Sequence, residues 1–143
     1  MDRKDFLLLV VASAKGESLT PVQLQKALFL IGKSGLPETP DPFYSFEPYH
    51  YGPFDRAIYE DAEAYHLRGM MVRAPAERGG WMDTMITPNG LKEASELKKE
   101  LSSIMHEFIQ AIVDWVRGQS FRSLVSAIYR GYPEYSENSV FRG

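Results

Sequence analysis

Apolar residues run almost without interruption through 6–14 (FLLLVVASA), so this stretch reads as a buried first helix, capped by Asp2 and ended by Gly16. In 20–31, Leu24, Leu28 and Ile31 recur at helical spacing, with Phe29 and Leu30 widening the apolar face. Thr20, Pro21 and Gln23 supply a capping box with proline at the first helical position. Residues 36–42 hold three prolines and read as a loop, and the alternation in 43–47 predicts a short strand. A third helix is expected to open near Phe54 or Asp55. Its core stripe is Phe54, Ile58, Ala62 and Tyr65, and Gly69 stops it.

Beyond Gly69, 70–74 and 81–87 read as two strands around a glycine turn at 77–80, which makes a hairpin. Thr87 caps the next helix, although Gly90 falls in its first turn. No proline or glycine interrupts 91–117, where Ala94, Leu97, Leu101, Ile104, Phe108, Ala111 and Trp115 form a heptad seam. Unbroken, that helix would extend about 40 Å. Either it bends near Ser102 and Ser103, or part of it packs on a second subunit through Leu97, Leu101, Ile104 and Phe108. The second option predicts a homodimer. A last helix over 120–130 precedes a tail of turn formers. This order describes a mainly α, α+β chain: a winged helix-turn-helix with a small sheet and wing hairpin over 1–90, an aromatic insert at 36–54 and a helical extension over 91–143, all in one structural domain.

Composition narrows the class of function. The 143 residues are enough to bury a core without disulfides or metal, and the absence of cysteine excludes thiol catalysis and thiolate zinc sites. It suits a reducing compartment, so a cytoplasmic protein is expected. The first apolar run is shorter than the ~20 residues of a membrane span, and Asp2 and Asp5 interrupt its basic flank, so no membrane association is expected. Net charge is −3, the most acidic segment is 34–53, and no segment is strongly basic. A duplex binder usually carries a basic face.

The stretches LQKALFLI, FEPYHYGPFDRAIYED, LRGMM, MITPNG and IYRGYPEY span nearly the whole chain. Together they resemble the YwgA-like family of bacterial winged-helix proteins. The most specific part joins Gln25, Lys26 and Phe29 to Tyr51, Gly52, Pro53, Phe54 and Tyr59. The same combination is loosely similar to the Panacea antitoxin domains, which share a lysine-aromatic helix followed by a YGP turn. The resemblance implies a winged helix-turn-helix of poorly defined activity, tied to regulation, toxin neutralisation or defence loci, and it carries no catalytic set. One departure lies in the residues themselves: a long segment separates the second and third helices, where a helix-turn-helix has three or four residues.

Two functions follow. In the first, a DNA-binding or regulatory protein, the third helix and the wing face double-stranded DNA, with Arg56, Arg73 and Arg78 as contacts. Against it, 55–68 holds four acids and two arginines, and the outward face carries Arg56, Glu60, Glu63 and Leu67. The alternative is a protein-interaction module, antitoxin-like or scaffold-like, in which Glu60, Glu63 and the aromatic insert bind a partner protein. Lys26, Tyr49, His50 and Tyr51 are the candidate partner or ligand residues. The plainer reading of the aromatic cluster is a plug between helices two and three. For Lys26 it is a structural ammonium held by carbonyls of the YGP turn or by Glu47.

Enzyme chemistry has no constellation to stand on. His50, His66 and His106 lack metal-ligand spacing, no phosphate-cradling glycine loop or nucleophile elbow is present, and Ser13, Ser120 and Ser136 have no recognisable base. No catalytic residues, metal or cofactor are expected.

Overall fold

A computed structural model describes residues 1–142. Among them the chain is α+β, with six α-helices and two antiparallel two-stranded sheets. Helix α1 (Arg3–Ala12) is the centre of the molecule, buried on every side from Phe6 to Ala12. It touches α2 (Pro21–Gly32), α3 (Ala57–Leu67), α4 (Pro88–Lys98), α5 (Ser103–Gly118) and the strand β4 (Met82–Ile86). A helix that is apolar all round can only be accommodated by covering it all round. Each large apolar side chain so buried contributes about 1.5–3 kcal/mol. Asp2 and Asp5 close its N-terminus reciprocally: the Asp5 amide donates to Asp2 at 3.1 Å and the Asp2 amide to Asp5 at 2.9 Å.

Thr20 and Gln23 start α2 in the same way, at 3.2 and 2.9 Å. Immediately before it, Leu19 exchanges two backbone hydrogen bonds with Thr84 (2.8 and 2.9 Å), so the chain enters α2 as a short third rung beside β4. Strand β3 (Met71–Pro75) pairs with β4 in the register Met71 opposite Ile86.

The strand expected at 43–47 lies elsewhere. Strands β1 (Glu47–Tyr49) and β2 (Gly52–Phe54) form a hairpin across His50 and Tyr51, with Tyr49 opposite Gly52. Residues 43–46 stay irregular because their rings plug the core: Phe43 meets Phe6 edge-on at 6.1 Å and Phe46 meets Phe29 at 5.4 Å. Gly52 turns the hairpin at φ +104°, a conformation that other residues rarely adopt. Helix α3 also begins later than expected. Phe54 belongs to β2, and the Asp55 carboxylate accepts the Ala57 amide (2.9 Å) and the Ser45 amide (2.7 Å), closing the loop onto the helix start. Ile58, Ala62 and Tyr65 form its buried stripe, and the Tyr65 hydroxyl donates to the Lys4 carbonyl at 2.9 Å.

Gly90, expected to weaken the first turn of α4, is what lets that turn approach. A Cβ there would lie 1.8 Å from the Met70 carbonyl oxygen. The heptad seam is not one stripe on one helix. The helix breaks after Lys98 and restarts at Ser102, whose backbone amide and hydroxyl both donate to Glu38. Two hydrogen bonds from Ser102 lower the pKa of that carboxyl. The break rotates the apolar face, so α5 buries Met105, Ile109, Val113 and Val116 instead. Leu97 is buried in the core and Leu101 and Phe108 are half-buried against it, while Ile104 is 69% exposed. Helix α6 (Phe121–Gly131), capped by Ser120, and a 3-10 turn (Pro133–Ser136) complete the fold. Among the described residues no helix is long and apolar enough to cross a membrane.

Candidate functional site

Two consecutive side chains of α2 hold the YGP turn. Gln25 pairs with the backbone of Asp55 in both directions, its amide donating to the Asp55 carbonyl at 2.9 Å and its carbonyl accepting the Asp55 amide at 3.0 Å. Lys26 is 3% exposed and donates to the Pro53 carbonyl at 3.1 Å. Burial lowers its pKa from the ordinary lysine value to about 7. Of the acceptors proposed for it, the turn carbonyl is the one used. Gly52 also lets the Tyr129 ring approach closely, since a Cβ there would lie 3.2 Å from it, while its distance from Lys26 Nζ, 3.7 Å, would be an ordinary contact.

Lys26 lies on the wall of a cavity of about 690 Å³. The first turn of α2 contributes residues Thr20 to Gln23, and the hairpin contributes Tyr49, His50, Tyr51 and Phe54. Tyr59 of α3, Gly79 and Trp81 at the β3–β4 turn, and Gln119, Phe121 and Leu124 around the start of α6 also line it. The rings brace each other. Tyr49 stacks on His50 (4.2 Å, 7° between planes) and on Phe54 (4.8 Å), while Tyr51 meets Phe121 edge-on at 5.1 Å. Burial raises the Tyr59 hydroxyl, which keeps it neutral. The tail straps the hairpin from outside: the Val140 amide donates to the His50 carbonyl at 3.0 Å, and Asn138 donates to the Pro48 carbonyl at 3.2 Å. Among the described residues no aspartate or glutamate lines the cavity.

The second surface is the outer face of α3. Glu60 and Leu67 are exposed, Leu67 by 79%, and Arg56 is exposed just before the helix. Arg73, expected to reach a duplex from the hairpin, instead lies against α3. Its guanidinium pairs with Glu63 at 3.0 Å, sits over the Tyr59 ring at 5.7 Å, and its side chain is only 16% exposed. The Arg73 backbone amide donates to His66 Nδ1 at 3.1 Å. Arg78 is exposed in the β3–β4 turn.

The structure therefore joins Lys26, Tyr49, His50 and Tyr51 in one cavity, while Glu60 and Glu63 lie on α3 outside its lining. Phe54 and Tyr59 belonged to the motif read from the sequence but not as cavity residues, and Trp81, Gln119 and Phe121 were not singled out by the sequence. Phe121 had one available sign, an aromatic placed directly after the helix cap Ser120, where no core stripe requires it. Among the described residues no group of histidines and acids could hold a metal ion. No family model matches the chain, and neither the curated proteins nor the solved structures contain a match.

Proposed function

We propose that this chain is a non-enzymatic interaction module on a winged-helix scaffold, and that the outer face of α3 binds a partner protein with a basic surface. Support for the scaffold comes from the order of elements: α1, the Leu19 rung on β4, α2, α3 and then the β3–β4 hairpin as the wing. The YwgA-like assignment belongs to the same proposal. The 24-residue segment between α2 and α3 (33–56) replaces the tight turn of a DNA-reading helix-turn-helix.

One observation carries the choice of partner. Glu63 and Arg73 pair with each other, so the middle of the face offers Glu60, the remaining lone pairs of Glu63 and the apolar Leu67, with exposed cations only at the two ends of α3, Arg56 and Arg68, where phosphate binding needs a basic face. The acidic surface instead complements a basic protein patch, with Leu67 as its apolar anchor. The test is paired. Mixed-sequence duplex DNA is titrated at low and near-physiological salt, and the Glu60→Lys/Glu63→Lys variant is compared with the unsubstituted protein in co-purification from the native host. The reading expects no duplex binding at physiological salt, and a stoichiometric protein partner that the charge reversal releases while thermal unfolding is unchanged. Micromolar duplex binding with a steep salt slope, weakened by Arg78→Ala, would overturn it in favour of a DNA-binding regulator.

A further inference from the structure

We propose that the cavity between the aromatic hairpin and α2 is a binding site for a small aromatic carboxylate, its acid group on Lys26 and its ring among Tyr49, Phe54, Tyr59 and Phe121. This site is separate from the α3 face and does not depend on what that face binds.

The first support is the state of Lys26. An ammonium has three donors. Among the described residues the one acceptor found for them is the Pro53 carbonyl, and no side-chain carboxylate pairs with the group. A buried cation is expensive without a counter-charge. Holding a turn carbonyl needs only one neutral donor, as Gln25 shows one residue earlier with its amide on Asp55. A lysine exceeds that task, and its excess is a positive charge on the wall of a cavity.

The second support is the charge of the wall. The chain carries 19 acidic side chains against 16 basic ones, yet among the described residues none of the acids lines this cavity. The first turn of α2 adds the positive end of a helix dipole. A small anion entering here meets attraction and no like charge, and the exclusion of water strengthens that attraction.

The third is shape and lining. About 690 Å³ lies within the range of small-molecule sites, which are mainly apolar with a few placed polar groups. The rings of Tyr49, Phe54, Tyr59 and Phe121 line the space for a planar body, and the Val140 amide and the Asn138 side chain hold the hairpin in place. Among acids, the aromatic ones fit both the cation and the rings.

The experiment is isothermal titration of the full chain at about pH 6.5 with three probes: indole-3-acetate, its neutral counterpart indole-3-ethanol, and decanoate. Indole-3-acetate is expected to bind roughly tenfold or more tighter than the alcohol, as suits a charge-assisted bond in a buried site, and tighter than decanoate. Lys26→Met should abolish the preference for the acid. Phe121→Glu, which alters a half-exposed position at the wall, should weaken both ligands through the lost ring contact and the acid by clearly more through charge repulsion, so that the preference for the acid shrinks; it serves as the deciding variant if Lys26→Met does not fold. Equal binding of acid and alcohol, a preference that survives both substitutions, or no binding of indole-3-acetate at millimolar concentration would overturn the proposal. Decanoate binding as tightly as indole-3-acetate would overturn the aromatic part of it.

Discussion

The surroundings of α1 and the walls of the Lys26 cavity are both rich in large apolar side chains, yet they are built for opposite ends. Around α1 every side chain from Phe6 to Ala12 is closed off, and the buried Ser13 beyond its end donates its hydroxyl to the Leu9 carbonyl at 2.7 Å. At the cavity the rings remain partly open, with Tyr49 47%, Tyr51 41% and Phe121 48% exposed, and a buried ammonium keeps donors in reserve. Stability wants the first arrangement. The second leaves apolar surface in water and a charge without a counter-ion, which makes sense where something else is to be bound.

The contrast breaks most visibly at the centre. Phe6→Ala removes a side chain with no exposure at all, and a loss of about 3–5 kcal/mol is expected from the vanished burial and the cavity left behind. Urea unfolding at equilibrium checks it. A loss below about 1 kcal/mol would mean that the core around α1 relaxes freely and is no more closed than the cavity. Gly90→Ala tests closure at the other end of α1's packing. Its methyl group meets backbone, the Met70 carbonyl at 1.8 Å, which cannot swing aside. A loss of roughly 2–3 kcal/mol is expected despite alanine's better helix propensity, read from the same unfolding curves.

Lys26 sharpens the comparison through pH. Its folded pKa, about 7, lies below the ordinary lysine value of 10.5. Between those two values the unfolded chain holds the proton and the folded chain releases it, so stability rises with pH across about 7 to 10.5. Below pH 7 both states are charged and the full burial penalty remains. The gain across the window is of the order of a few kcal/mol. Lys26→Met should remove the slope and leave stability flat there, as followed by urea midpoints. Above about pH 10 the trend reverses for another reason: burial, chiefly, raises Tyr44 and Tyr65, so the unfolded chain ionises first and the fold loses stability. A slope unchanged in Lys26→Met would place the titration elsewhere and remove the uncompensated cation from the cavity.

The same division explains what could be read from the sequence. Asp2, Thr20 and Thr87 all cap helices as their local patterns suggested, because a cap is settled within about four residues of chain. Ile58, Ala62 and Tyr65 kept their stripe for the same reason. The β1–β2 hairpin did not follow local alternation, since the rings of Phe43 and Phe46 are more useful to Phe6 and Phe29 than to a strand. The heptad in 91–117 was a true periodicity interrupted by one event, the hydrogen bonds from Ser102 to Glu38, a residue far away in the chain. The cavity was half legible. Lys26 and the hairpin rings lie in one conspicuous motif, but Trp81, Gln119 and Phe121 arrive from segments that share no local pattern with it.

Phe121 gives the smallest and most discriminating effect. Its ring meets Tyr51 at 5.1 Å and Phe141 at 6.0 Å, both edge-on, and nearly half of its surface is in water. Phe121→Ala should therefore lower stability by only about 0.5–1.5 kcal/mol, the scale of aromatic pair contacts at a partly exposed site. Ser120 still caps α6 through the Ser123 amide, so the helix start survives. If the ring is a cavity wall, this modest loss comes with a clear weakening of indole-3-acetate. If it were merely a lid over the core, the stability loss would approach that of Phe6→Ala. The ratio of the two losses, measured side by side, thus separates a wall built for an occupant from a core that happens to reach the surface.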